Sequence, residues 1–300
     1  MWPNCARGGL RTSVRKPRPD KGRGALRLRS RTLRWGVQTY LMGVVNVTPD
    51  SFSGDGRPDA ASAIEYAVQQ HTWSADIVDI GGESTRPGHT PIDAQTERER
   101  LLPVIAGVRS RLGAQALISA DTFKPDIFRA AHRAGADILN SIWGLPDELL
   151  EVAVECGAAV IAMHNKATAF YEGDVVDEVL GFLGEAAERA VGAGIPAAHV
   201  ILDPGIGFGK LPDHNLAVLR SLKRLTALGF PTLIGPSRKS TIGKLTGRDP
   251  HERGFGTAAT VALAIAAGID IVRVHDVKEM RDVISVCDAI ERGWRPTGWT

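Results

Sequence analysis

Little in this chain points to covalent or metal staples. Only three cysteines occur in 300 residues, Cys5, Cys156 and Cys287. They are odd in number and far apart, so neither a disulfide framework nor a Cys-x-x-Cys zinc or redox site is expected, and a reducing cytoplasm suits them. Long apolar runs are missing too. No stretch of about 18 apolar residues is present, so no membrane-spanning helix is expected. The net charge is small, +2 at pH 7, and gives no reason to expect a nucleic-acid or membrane partner.

That small sum hides an uneven distribution. Residues 1–36 carry nine Arg and two Lys against the single Asp20, a net of +10, which leaves the other 264 residues at −8. Residues 1–32 lack apolar periodicity and contain Pro17, Pro19, Gly22 and Gly24. They are expected to form a disordered basic arm, in the manner of a transit segment, a basic tail or an overlong translation start; a secretory signal would need an apolar stretch that is absent.

From Leu33 onward, short β-branched and apolar runs alternate with longer amphipathic stretches, the pattern of a parallel sheet crossed over by helices. Eight strands are expected, at Tyr40–Val47, Asp76–Gly81, Ala116–Asp121, Asp137–Ile142, Ala158–Met163, Val200–Asp203, Thr232–Gly235 and Ile269–Val274. Between the second and third, residues 93–111 place Leu101, Leu102, Ile105 and Val108 at helical spacing. Strands this apolar are buried on both faces. Eight such β/α units in about 250 residues suit one closed α/β domain, a (β/α)8 barrel of the TIM type over residues 33–293 with a tail at 294–300. An open dinucleotide-binding sheet would need a Gly-rich turn after its first strand, where this chain has Asn46-Val47-Thr48-Pro49-Asp50.

Chemistry in such barrels sits at the C-terminal ends of the strands. Here every strand ends in polar residues: Asn46, Gly82-Glu83-Ser84-Thr85-Arg86, Asp121, Asn140, His164, Asp203, Ser237-Arg238-Lys239, and Arg273 with His275. Asp121, Asn140, Asp203 and Lys239 combine acceptors, an amide that donates and accepts, and an ammonium. That mixture matches a flat heterocycle edged with ring N–H groups, an amine and a carbonyl. Asp203 ahead of Pro204-Gly205 also suits a turn, and Asp121-Thr122 a helix cap.

The loops after strands seven and eight supply Ser237-Arg238-Lys239-Ser240 and Arg273-Val274-His275, where barrels often bind phosphate. Gly243-Lys244 is no P-loop, because Leu245 stands where Ser or Thr is required. Loops at Thr48–Pro58 and Gly82–Asp93, with Phe52, Thr85, Arg86 and Pro87, are placed to close over a second, aromatic substrate. His-x-His is absent after the first strand, so a zinc hydrolase is disfavoured, whereas Mg²⁺ held by one protein oxygen and diphosphate oxygens is compatible.

The same residues resemble a known family. Met42 to Ser53, Asp79 to Gly88, Leu202 to Lys210, Ser237-Arg238-Lys239-Ser240 and Arg273-Val274-His275-Asp276 are similar, in order, to the motifs of dihydropteroate synthases. The resemblance implies condensation of (7,8-dihydropterin-6-yl)methyl diphosphate with 4-aminobenzoate in folate synthesis. It implies that Asp121, Asn140, Asp203 and Lys239 grip the pterin, with Asp121, Asp203 and Lys239 as the catalytic set. Arg273, Val274 and His275 are implied for the diphosphate, Asn46 for Mg²⁺, and Thr85, Arg86 and Pro87 for the aminobenzoate. Phe208 and Ser240 would line that pocket, Met163 would pack near the pterin, and a homodimer is implied.

The chain departs from the family pattern at Ser141, where Asp usually follows the Asn, at Ser74, and in Ser53-Gly54-Asp55-Gly56. Loss of the Asp is expected to weaken the support behind the pterin site. A catalytically silent pterin-binding paralogue and a barrel methyltransferase acting on methyltetrahydrofolate are the competing readings.

Overall fold

A computed structural model describes residues 24–48, 56, 59–83 and 91–299. Its first elements are β1 (Ala25–Leu28) and β2 (Arg31–Arg34), followed by β3 (Tyr40–Asn46), α1 (Ala60–Thr72), β4 (Ile77–Gly81), α2 (Ala94–Leu112), β5 (Leu117–Asp121) and α3 (Pro125–Ala134). The chain continues through β6 (Ile138–Ser141), α4 (Asp147–Cys156), β7 (Ala159–Met163), α5 (Val175–Gly192), β8 (Val200–Asp203), α6 (Pro212–Arg220) and α7 (Leu222–Thr226). It finishes with β9 (Leu233–Ile234), α8 (Ser240–Thr246), α9 (Gly254–Ala266), β10 (Ile271–Val274) and α10 (Val277–Glu291).

Strands β3 to β10 form one parallel sheet in the order β8-β7-β6-β5-β4-β3-β10-β9. A bridge between Leu202 and Thr232, with the Leu202 amide donating to the Pro231 carbonyl at 2.9 Å, brings the two edges together and nearly closes the barrel. The expected eight strands are all present, each shorter than or equal to its expected span. Side chains of Tyr40, Met42, Ile77, Leu117, Ile138, Ile161, Ile201, Leu233 and Ile271 fill the interior, and the alternate residues of each strand pack outward against the helices.

The helices begin where the sequence supplies caps. Asp59, Asp93 and Asp174 accept hydrogen bonds from backbone N–H groups in the first turns of α1, α2 and α5, satisfying donors that no carbonyl can reach. The inward stripe of α2 is Leu101, Val104, Ile105 and Val108. Leu102, expected on it, is only half buried.

One expectation is overturned in part, and residues 1–23 of the expected arm lie outside the described residues. The disordered arm expected over residues 1–32 takes in residues 25–32, yet β1 and β2 form an antiparallel hairpin pairing Leu26 with Leu33. Leu26, Leu33 and Trp35 are buried in the same cluster as the barrel-floor residues Tyr40 and Met42, with Trp35 edge-on to Tyr40 at 5.7 Å. Two of its basic residues are partnered as well: Arg29 pairs with Asp137, and Arg31 with Asp76 at 3.2 Å. Four-residue strands are too short to show a period, so composition alone made this plug look like part of the tail.

Candidate active site

Most of the inward residues nearest the strand ends are polar. On β4, Asp79 is fully buried and lies one inward position below Gly81, whose Cα is paired with that of Asp121 on β5. Asp79 accepts from Asn140 Nδ2 of β6 at 3.1 and 3.3 Å and from Arg273 Nε of β10 at 2.7 Å. Arg273 Nη2 lies 2.6 Å from Asp79 and donates to Asp121 Oδ2 at 3.0 Å. Three strands separated by up to 194 positions in sequence are thus tied through one carboxylate. Burial and the neighbouring Asp79 charge push the Asp121 carboxyl up to about 7, against the pull of Arg273.

On the opposite wall, burial raises the Asp203 carboxyl and lowers the Lys239 ammonium to about 8. Asp203 does shape a turn, its Oδ1 accepting from the Gly205 amide at 2.8 Å. Lys239 Nζ sits 4.0 Å from the centre of the Phe208 ring, a cation–π contact that fixes both side chains. The loop between them needs glycine at 205. Its φ is +67°, and a Cβ there would fall 2.0 Å from the His164 carbonyl oxygen.

Lys210 pins this loop from below. Its Nζ meets the Gly205 and Phe208 carbonyls at 3.1 Å each and His164 Nδ1 at 2.9 Å. Burial pushes Lys210 down to about 7, and burial together with Lys210 pushes His164 down to about 3. His164 is therefore a neutral acceptor inside the wall.

On the flank after β9 and β10, His275 Nδ1 lies 2.9 Å from Ser237 Oγ. Arg238 is engaged by Asp276, its Nε donating at 3.1 Å. Behind the β4 end, Lys124 Nζ donates to Glu83 and Glu97 at 2.6 Å each and to the Ile92 carbonyl at 3.0 Å, so the residues on either side of 84–90 are anchored together. Thr85, Arg86, Pro87 and Phe52 lie outside the described residues.

The structure therefore brings Asp121, Asn140, Asp203, Lys239 and Arg273 to one mouth, with Met163, Phe208 and His275 around it and the half-buried Asn46 ending β3. Ser240 opens α8 with its side chain exposed. Two expectations change, those for Val274 and Glu83. Val274 is fully buried in the layer between strands and helices, so only its backbone reaches the mouth. Ser141, next to the inward Asn140, projects to the outer layer; it is fully buried and its hydroxyl has no hydrogen-bond partner. The missing carboxylate would thus lie behind the pocket wall, where support for the pterin site was expected. Glu83 turns to Lys124 rather than to the mouth. Asp79 and Lys210 were not singled out from the sequence; an acid inside the apolar run Ile77-Val78-Asp79-Ile80 was the available signal for the first.

A barrel whose mouth gathers two carboxylates, an amide and two cations, tied together through the buried Asp79, defines a site for a ligand edged with several hydrogen-bond donors and acceptors, as a nitrogen-rich heterocycle is. A family model described as pterin binding enzyme matches residues 42–275. The chain is 43% identical over 271 residues to the dihydropteroate synthase of a Synechocystis species, covering 87% of this chain and 92% of the relative. Its fold is similar to the Yersinia pestis dihydropteroate synthase solved with a sulfonamide drug complex, at a TM-score of 0.84 and 35% identity, covering 90% of this chain and all of that one. It is also similar to the synthase of Thermus thermophilus solved with 4-aminobenzoate, at a TM-score of 0.79 and 42% identity, covering 89% and 99%, and solved with 6HMPPP. The chain belongs to the dihydropteroate synthase family of pterin-binding enzymes.

Proposed function

We infer that the protein is a transferase of folate biosynthesis that condenses (7,8-dihydropterin-6-yl)methyl diphosphate with 4-aminobenzoate to give 7,8-dihydropteroate and diphosphate. The convergence of Asp121 and Asn140 from one wall and Asp203 and Lys239 from the other on a single mouth carries this reading. Together they offer acceptors to the ring N–H and amine groups and donors to the carbonyl and ring nitrogens. In the reaction the methylene C–O bond breaks, its electron pair leaving with diphosphate, and the amine nitrogen forms the new C–N bond and loses a proton. Positive charge develops on the pterin as the diphosphate leaves. Carboxylates of Asp121 and Asp203 at the mouth and of Asp79 behind it stabilise that developing charge.

The diphosphate side falls to His275 and the free edge of Arg273. Asn46 is the residue that would hold Mg²⁺. Among the described residues no group of three or more His, Cys, Asp or Glu is arranged to hold a metal, and a hard cation keeping substrate oxygens and water as ligands fits one amide oxygen. When bound it supplies charge neutralisation on the leaving diphosphate. Phe208, with Thr85, Arg86 and Pro87, is assigned to the aminobenzoate.

A homodimer is supported by a surface shared by two packed helices: Phe255 and Leu263 of α9 and Val286 and Ile290 of α10 are between 60% and 94% exposed. A cytoplasmic setting accords with the free thiols Cys156 and Cys287. No described helix is long and apolar enough to cross a membrane.

The test is diphosphate release by purified protein with Mg²⁺. Release is expected only when both substrates are present, and Asp203→Asn or Lys239→Ala should reduce it by about 10² or more. Pterin binding without turnover in the unmodified protein would instead establish the silent paralogue.

A further inference from the structure

We propose that Asp79 is a positioning residue that fixes the donor–acceptor polarity of Asn140 and the orientation of Arg273 before the pterin enters. The proposal rests on the assignment of Asn140 and Arg273 to the pterin mouth.

The amide of an asparagine is nearly symmetric in shape, so its two ends exchange by a half-turn unless a neighbour discriminates between them. A carboxylate only accepts. With both Asp79 oxygens within 3.3 Å of it, the lower end of the Asn140 amide must be Nδ2. This leaves Oδ1 and one N–H for a ligand, so the edge offered to a heterocycle is an acceptor beside a donor and never two donors. The same carboxylate takes Arg273 Nε at 2.7 Å. Through the contact of Arg273 with Asp121 at 3.0 Å, it also sets where the second pterin-facing carboxylate stands. Asp79 itself has no solvent exposure and is roofed by these partners, which is why it acts through them. Burying this carboxylate is tolerable only because each oxygen is hydrogen-bonded and one partner is a cation.

The arrangement has a signature that a merely structural role lacks. Asp121 is faced by Asp79 from β4, Arg273 from β10 and Lys239 from the β9–α8 loop, with Glu83 and Glu97 further off. Removing the Asp79 charge takes away a repelling neighbour and leaves Asp121 as the one carboxylate hydrogen-bonded to Arg273. Both effects favour the ionised Asp121 and move its titration to lower pH.

The experiment compares Asp79→Asn with the unmodified enzyme in steady-state assays from pH 5 to pH 9. The unmodified enzyme and an Asp203→Asn control establish that the mouth is the pterin site. In Asp79→Asn, KM for the pterin diphosphate is expected to rise about tenfold or more, with KM for 4-aminobenzoate changed less than about twofold. The acid limb of kcat/KM should shift down by about half a pH unit or more. Equal losses toward both substrates, or an unmoved acid limb, overturn the proposal while leaving the pterin site intact. If the variant does not fold, NMR of the unmodified protein decides. Slowly exchanging, resolved side-chain protons on Asn140 Nδ2 and Arg273 Nε without ligand support it, and rapidly averaged ones overturn it.

Discussion

At the scale of single residues, one side-chain type serves opposite ends of the barrel in different ways. Asp76, Asp137 and Asp270 lead their strands and accept from neighbouring strand or loop amides, those of Leu41, Ile118 and Thr232, at 2.9 to 3.0 Å; they are structural. Asp121 and Asp203 end their strands and face the mouth. Strand direction separates the two sets, and the sequence pattern supplied it, so most of the mouth was legible. Asp79 and Lys210 were not, because Asp79 and, through His164, Lys210 meet partners remote in sequence, and nothing local marks a buried charge as partnered.

Lys210 gives the prediction at this scale. Replacing it by Met leaves the Gly205 and Phe208 carbonyls without their ammonium, at a cost of about 1–3 kcal/mol. It should raise KM for 4-aminobenzoate, since Phe208 rides on that loop. The sign of its pH dependence follows from a folded-state pKa of about 7, below the ordinary 10.5. Above 7 the unfolded chain binds the extra proton, so the lysine's contribution to stability grows as pH rises from about 7 toward 10.5 and is lost as pH falls through 7. Chemical denaturation of both proteins at pH 7 and pH 9.5 should show the stability gap in favour of Lys210 widening at the higher pH. A constant gap would remove the titration from the account.

At the scale of elements, the β1–β2 hairpin changes what the N-terminal region is. Its apolar pair Leu26 and Leu33 closes the end of the barrel opposite the chemistry. Removing residues 1–23 leaves every described contact in place, and thermal stability should be unchanged. Removing residues 1–31, a cut that a wholly disordered arm would tolerate, strips Leu26 and the ion pairs of Arg29 and Arg31. It should cost about 2–5 kcal/mol, as deletion of a buried Leu does. Equal melting temperatures for the two truncations would show that the hairpin only decorates the floor. The barrel strands were readable because burial on both faces writes a continuous apolar run, whereas the hairpin buries one side of two four-residue pieces and leaves almost no pattern. The Lys124 anchor was invisible for a related reason: Glu83, Ile92 and Glu97 meet it only after α2 and α3 have packed.

At the scale of the whole molecule, the apolar surface on α9 and α10 should join two copies. Sedimentation at micromolar concentration is expected to give a dimer, and Leu263→Glu with Ile290→Lys to give a monomer; a monomeric unmodified protein would end that assignment. The amino-acid sequence by itself determined the fold class, the order of the eight strands and the residues that terminate them, because periodicity and strand-end polarity are local properties. Only the tertiary structure decided which charges pair, that Ser141 and Val274 face the outer layer, and that the β1–β2 hairpin plugs the barrel. Those outcomes depend on distances across the barrel, between positions that only the closed sheet brings together.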